Sequence, residues 1–189
     1  MDFYEVVYSR RAIRKYKPDM IPKETLQKIF DAANWAPSGM NMQQWEFIVV
    51  SGAKKNMLGE SYARFMETYT RDWDPARKET FLKFARDFGG SPLIIVALTQ
   101  ASKDDSTRKM HLESVSAAFE NLLLAARAEG LGSCWMTGPL RDEDGMRKIL
   151  DIGDDKEIVA VTPIGYPDMA PIAPERLDPE LKSKIRWVE

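Results

Sequence analysis

The sequence predicts one domain in which helices and strands alternate, and three observations carry that reading. The chain has 189 residues, enough to bury a substantial core without disulfides or a structural metal. A short apolar run at residues 92–99, with Ile94, Ile95 and Val96 and a proline only at its start, has the pattern of a central strand. Between about Thr107 and Glu129, Leu112, Val115, Phe119, Leu122, Leu123 and Ala126 form an apolar helix face. Ala117, Ala118, Ala125 and Ala128 widen it, as in a helix packed on more than one side.

The other elements follow in order. A helix is expected to begin around Met20-Ile21-Pro22, because proline fits a first turn and Leu26, Ile29, Phe30 and Ala33 recur at helical spacing; Pro37-Ser38-Gly39 stops it. Trp45 to Val50 reads as a buried strand, rich in β-branched and aromatic residues and closed by Ser51-Gly52. Lys54 to about Arg71 carries the stripe Leu58, Tyr62, Phe65 and Tyr69, and a shorter helix near Lys78 to Phe88 is ended by Gly89-Gly90. After Gly130, Leu131 to Met136 reads as a strand, Asp142 to Leu150 as a short helix, and Ile158 to Ile164 as a strand closed by Gly165-Tyr166-Pro167. Residues 167–189 lose any strong period yet end in Ile185-Arg186-Trp187-Val188, apolar residues that a solvated tail does not need; the tail is expected to dock, with another subunit as one surface for it.

Composition narrows the function. With 27 Lys+Arg against 29 Asp+Glu, a net charge of -2 gives no global positive field for nucleic acid or an anionic membrane. One cysteine, Cys134, and one histidine, His111, leave no intrachain disulfide and too few ligands for an ordinary zinc site, so no metal is expected; a histidine-based triad is also disfavoured. No run approaches a bilayer span and the first residues hold no apolar signal core, so a cytoplasmic protein is expected. Cys134, inside an apolar strand, reads as inert core, and His111 as a helix-surface or satisfied residue.

Three stretches concentrate chemistry. Ser9-Arg10-Arg11-Ala12-Ile13-Arg14 packs three arginines into five positions, and the planar guanidinium fork suits phosphate oxygens; composition alone fits a solvated basic segment as well. Residues 35–45, from Trp35 to Trp45, set amides and hydroxyls beside aromatics, partners that a planar polar heterocycle needs. A capped loop in which Ser38 and Asn41 satisfy backbone groups accounts for them equally. Residues 130–139, Gly-Leu-Gly-Ser-Cys-Trp-Met-Thr-Gly-Pro, run a strand into a turn of small residues able to present backbone N–H groups. Neither Gly-x-Gly-x-x-Gly after a strand nor a phosphate loop ending in Gly-Lys-Ser/Thr is present, so any nucleotide is held differently.

Together these stretches resemble the FMN-dependent nitroreductase family, its compact branch above all. The resemblance rests on Ser-Arg-Arg-x-Ile-Arg-x-Tyr at 9–16, Ala-Pro-Ser-Gly-x-Asn-x-Gln-x-Trp at 36–45, Asn-Leu-Leu-Leu-Ala-Ala at 121–126, Gly-Leu-Gly-Ser-Cys-Trp at 130–135 and Ile-Gly-Tyr-Pro at 164–167. It implies an α+β fold: a three-layer α/β/α sandwich on a mainly antiparallel sheet, one domain over 1–189, in a segment-exchanged homodimer binding FMN at its interface. By the same resemblance Arg10 and Arg11 approach the FMN phosphate and ribityl chain, and Arg14 lies near flavin N1 and the C2 carbonyl. Pro37, Ser38 and Asn41 come from the facing subunit, while Trp135, Met136, Thr137 and Gly138 pack beside the ring and Arg176 closes on the phosphate. The implied activity is electron transfer from NADH or NADPH through FMN to a small aromatic acceptor such as a nitroaromatic or quinone, with no side chain as obligatory nucleophile or acid; a flavin carrier, sensor or flavin-consuming protein would use the same contacts. Residues 62–88 are expected to supply part of a lid, although ordinary helix packing explains their aromatics too. Two positions depart from the pattern: Ala12 stands where the family usually has Ser, and Gln44 where Pro usually follows the Gln.

Overall fold

In the computed structural model, which describes residues 1–189, six α-helices surround a four-stranded sheet. The helices are α1 (Phe3–Ser9), α2 (Lys23–Asn34), α3 (Gly52–Tyr69), α4 (Pro75–Asp87), α5 (Asp105–Ala128) and α6 (Glu143–Leu150). The strands β1 (Glu46–Ser51), β2 (Leu93–Gln100), β3 (Gly132–Ser133) and β4 (Lys156–Gly165) are all antiparallel, in the order β1-β2-β4-β3. Because successive side chains of a strand face opposite ways, β2 feeds two cores. Ile94, Val96 and Leu98 meet Leu58 and Tyr62 of α3, Leu82 of α4 and Met146 of α6. Leu93, Ile95 and Ala97 meet Ile29 of α2 and Val115, Phe119 and Leu122 of α5. This is the three-layer α+β sandwich that the resemblance implies.

One irregularity keeps both cores consistent. Ala97 pairs with Ala160 but Leu98 pairs with Ile158, so Val159 is an extra residue in β4. Without that bulge Ile158 would share a face with Ala160; with it, Ile158 joins Leu98 and Val161 in the α3/α4 half.

Local signals fix the helix ends. Asp74 and Asp104 accept backbone N–H bonds from Arg77 (3.0 Å) and Thr107 (2.8 Å), capping α4 and α5. Phe88 (φ 56°) and Gly89 (φ 71°) end α4 in left-handed conformation. Helix α1 has no counterpart in the periodicity analysis, being only seven residues long; Asp2 caps it through the Glu5 N–H at 2.9 Å.

Two expectations are corrected. The strand expected to be buried, β1, is an edge strand in which Val50 alone is buried; its apolar residues read as interior, but only one side of it has a hydrogen-bonded neighbour. The strand expected over Leu131 to Met136 shrinks to Gly132–Ser133 plus a single bridge from Met136 to Val161. The ladder breaks because the Cys134 N–H bonds to the Thr162 hydroxyl (3.0 Å) instead of a carbonyl.

The backbone of the basic stretch is stitched into the sheet, while Arg14, Lys15 and Lys17 remain exposed. Ala12 bridges Ser133 in parallel, and the Ile13 N–H donates to the Ser133 carbonyl at 2.9 Å. Gly132 permits that approach, since a Cβ there would lie 2.7 Å from the Ile13 side chain. Tyr16 is buried, donates its hydroxyl to the Ile13 carbonyl (2.6 Å), and its N–H to the Gly89 carbonyl (2.9 Å). From Pro171 onward the chain has no helix or strand, and Ile172, Leu177, Trp187 and Val188 stand 80–102% exposed.

Candidate functional site

The stitched segment presents arginines to two separate concavities. The first, about 340 Å³, gathers Arg10 and Arg11 with Arg127 from the last turn of α5, over a floor that includes Ile13 and Ser133. Neighbours hold these groups in place. Arg127 Nε donates to Ser9 Oγ (2.9 Å), Arg11 Nη1 donates to the carbonyls of Tyr8 (2.8 Å) and Arg10 (2.6 Å), and Arg10 lies 3.8 Å from the Glu120 carboxylate. Three guanidiniums with one distant carboxylate suit a doubly charged oxyanion such as a phosphate monoester.

The second concavity, about 610 Å³, opens on the other side of Arg14. Trp73, Phe81 and Phe84 form its walls and Arg14 and Arg77 its charges. Arg77 stacks on Trp73, with Cζ 4.3 Å from the ring centroid, and Trp73 meets Phe81 edge-on at 5.3 Å. The Arg14 N–H contacts Met169 Sδ at 3.2 Å, and Met169 also lines the first cleft, so one short stretch of backbone separates the two.

The profile of the Nitroreductase family matches residues 7–166. The chain belongs to the Nitroreductase family. A protein of Archaeoglobus fulgidus named as an NADH dehydrogenase/NAD(P)H nitroreductase is 30% identical over 188 residues, covering 97% of each chain. An iodotyrosine deiodinase of Thermotoga neapolitana is 29% identical, covering 87% of this chain and 88% of its own. A crystal structure of oxidized iodotyrosine deiodinase bound to FMN and 3-iodo-L-tyrosine superimposes with a TM-score of 0.77 at 27% identity, covering 93% of this chain and 95% of that one.

Within this family member, the residues singled out by sequence fall into distinct places. Arg10 and Arg11 share the first cleft, and Arg14 borders the second. Pro37, Ser38 and Asn41 lie on the loop after α2 and line neither cleft of their own chain. The loop is internally tied: Ser38 Oγ accepts from the Gln43 N–H (3.0 Å), Asn41 Oδ1 accepts from Gln43 Nε2 (2.9 Å), and Gly39 N–H donates to Ser114 Oγ (3.1 Å). The capped-loop account therefore holds for Ser38, while Met40, Asn41 and Gln43 take left-handed φ of 48–55° and Met40 is held out into solvent.

The turn at 135–138 likewise lines neither cleft. Trp135 sits edge-on to Phe119 at 4.7 Å with one side open, Met136 is buried, and Thr137 is exposed. At Gly138 a Cβ would overlap the Tyr62 hydroxyl, so glycine and tyrosine set each other's position. Burial pushes the Tyr62 phenol up to about 12, against a smaller opposing effect of Arg141. Arg176 lies on the exposed tail, outside both clefts.

Cys134 is buried and burial pushes its thiol up, outweighing Arg14 and Arg10, in keeping with an inert core role. His111 is not a surface residue: it is buried, with Nδ1 3.0 Å from the Gln100 carbonyl and Nε2 without a partner. Both amide atoms of Gln44 are also buried and unpartnered, so its amide points into the protein. Arg127, which lines the first cleft, lies outside the three sequence motifs. The available signal was its isolation, as the sole Lys or Arg between Met110 and Gly130. A cation in the last turn of a helix is usually explained by the helix dipole, which masked it.

Proposed function

We propose that this family member is an FMN-dependent oxidoreductase that takes electrons from NADH or NADPH and passes them to a small aromatic acceptor in a two-stage cycle. The observation that carries the reading is the pair of adjacent concavities, a three-guanidinium cleft one backbone step from an aromatic-walled cavity, with Arg14 between them. FMN has the matching polarity, a dianionic phosphate for the three-guanidinium cleft and a planar ring that would extend toward Arg14, which leaves the aromatic-walled cavity beside it for the acceptor. The donor set of Arg10, Arg11 and Arg127 fits its phosphate, with Ser9 holding Arg127 in register. When bound, FMN supplies the chemistry by accepting hydride at N5 and releasing electrons to the acceptor.

The chain's own residues position and tune. Arg14 is assigned to the pyrimidine edge of the flavin, where a fixed cation favours the anionic reduced form. Trp135, Met136, Thr137 and Gly138 are assigned to the side of the ring, in a turn that Tyr62 holds against Gly138. The loop of Pro37, Ser38 and Asn41 lines neither cleft of its own chain, and Trp35 and Met40 beside it are each 81% exposed. Both facts support its reaching the flavin of a facing subunit in a homodimer. The exposed apolar residues of 167–189 support docking of that tail on the partner, with Arg176 carried toward a phosphate.

Anaerobic mixing of the purified, flavin-loaded protein with NADH or NADPH tests the reading. Bleaching of the oxidised flavin band within seconds, and its return on adding a nitroaromatic or quinone, is the expected result. A band stable for hours would instead make the protein a flavin carrier or sensor.

A further inference from the structure

We propose that Tyr62 is a positioning residue for the flavin site: its ring tip is the stop that sets where Gly138 stands, and with it the N–H groups of the 137–138 turn. The proposal rests on the assignment of that turn to the side of the flavin ring.

Backbone conformation does not account for the glycine at 138. Its φ of -59° and ψ of -47° are ordinary right-handed helical values, which alanine adopts freely. Space is what excludes a side chain, because a Cβ at 138 would overlap the Tyr62 hydroxyl and lie 3.0 Å from Cζ. The ring cannot step aside. It is 3% exposed, stacks on Phe88 with centroids 6.3 Å apart, and meets Phe81 edge-on at 6.2 Å. Phe88 is itself buried where α4 ends, so the core backs the tyrosine.

The turn is therefore fixed at two points. Before it, the Met136 N–H donates to the Val161 carbonyl at 2.8 Å; after it, Gly138 rests on Tyr62. Between these points the N–H groups of Thr137 and Gly138 donate to no group of the chain, two adjacent backbone donors left for a ligand. Hydrogen bonds weaken steeply with distance and angle, so a small shift of Gly138 costs the contact at the ring edge. The Tyr62 hydroxyl makes no hydrogen bond of its own within the chain, so its part in the contact is steric.

FMN dissociation constants and bound-flavin absorption spectra of Tyr62→Phe, Gly138→Ala and the double variant test this as a cycle. Tyr62→Phe should stay within about twofold of wild type, since the ring remains and no bond is lost. Gly138→Ala should weaken FMN binding about fivefold, the loss of one neutral hydrogen bond, and alter the flavin spectrum. Removing the hydroxyl as well makes room for the new methyl, so the double variant should recover most of the affinity and the wild-type spectrum. Wild-type binding and spectrum in Gly138→Ala, or a double variant no better than that single variant, would overturn the proposal. Should Gly138→Ala fail to fold alone, the double variant is expected to fold and bind FMN, and its failure to do either would also overturn it. Coupling of the two positions without bleaching by NADH or NADPH leaves the role of Tyr62 standing and removes the reductase, and bleaching without coupling does the reverse. A wild-type protein that binds no FMN removes both.

Discussion

The two concavities flanking Arg14 use the same charged group for opposite ends. In the first, Arg10, Arg11 and Arg127 converge without an aromatic neighbour, each partly held by Ser9, Glu120 or a backbone carbonyl. In the second, the Arg77 guanidinium carbon lies 4.3 Å from the centroid of the Trp73 ring, without a carboxylate partner. Converging forks match a compact dianion, and a cation set over an apolar wall matches a flat ring. What an arginine recognises is therefore set by what surrounds it, and substitutions on the two sides should separate cofactor retention from acceptor choice.

The largest effect is expected in the first cleft. Arg10→Ala and Arg11→Ala should each weaken FMN binding about tenfold or more, since a charge-assisted contact contributes roughly 1.5–3 kcal/mol. Arg10→Ala with Arg127→Ala should weaken it a hundredfold or more, read as flavin content after dialysis and as a dissociation constant. Wild-type retention in the double variant would show that this cleft does not hold the phosphate. On the other side, Trp73→Ala should raise the acceptor KM about tenfold by removing a wall and the support for Arg77, while FMN affinity changes less than twofold. A parallel loss of FMN would mean that the two concavities are one site.

The basic stretch shows both the reach and the limit of the sequence. Three arginines in five positions mark a charge cluster, but composition cannot tell a solvated run from a strand-like segment; Tyr16 and Gly132 decide that, through contacts with residues remote in sequence. Long periodic elements such as α5 were legible because period and burial agree. The edge position of β1 was not, since an apolar strand reads alike with one neighbour or two. The brevity of β3 depended on one hydroxyl, Thr162, taking the N–H of Cys134. Arg127 needed the packing of α5 behind β3 before it could be grouped with Arg10 and Arg11.

Arg14, at the boundary, sharpens the comparison because its proposed role is redox rather than retention. Arg14→Gln removes a cation whose attraction is felt only by the reduced, anionic flavin, so it should lower the midpoint potential while sparing most FMN affinity. A tenfold loss in the two-electron equilibrium corresponds to about 30 mV. Spectroelectrochemical titration reads it, and an unchanged midpoint with bound FMN would assign Arg14 to the aromatic cavity alone.

The smallest effect is expected at Ala12, where the family usually has serine. Ala12 is locked to Ser133 by a parallel bridge, and alternation along the segment points it away from Ile13, which lines the first cleft, toward the side of Arg14. It is half-buried and touches the α3/α4 half of the core. Ala12→Ser therefore adds a hydroxyl on a backbone that is already fixed, so that one neutral hydrogen bond to FMN, worth roughly 1 kcal/mol, should tighten binding about fivefold. The competing outcome is distinct. If the hydroxyl turns into the apolar layer, it is left without a partner, FMN affinity stays as it was, and the melting temperature falls. Measuring both quantities on one variant decides whether the face of the stitched segment opposite Ile13 belongs to the cofactor or to the core.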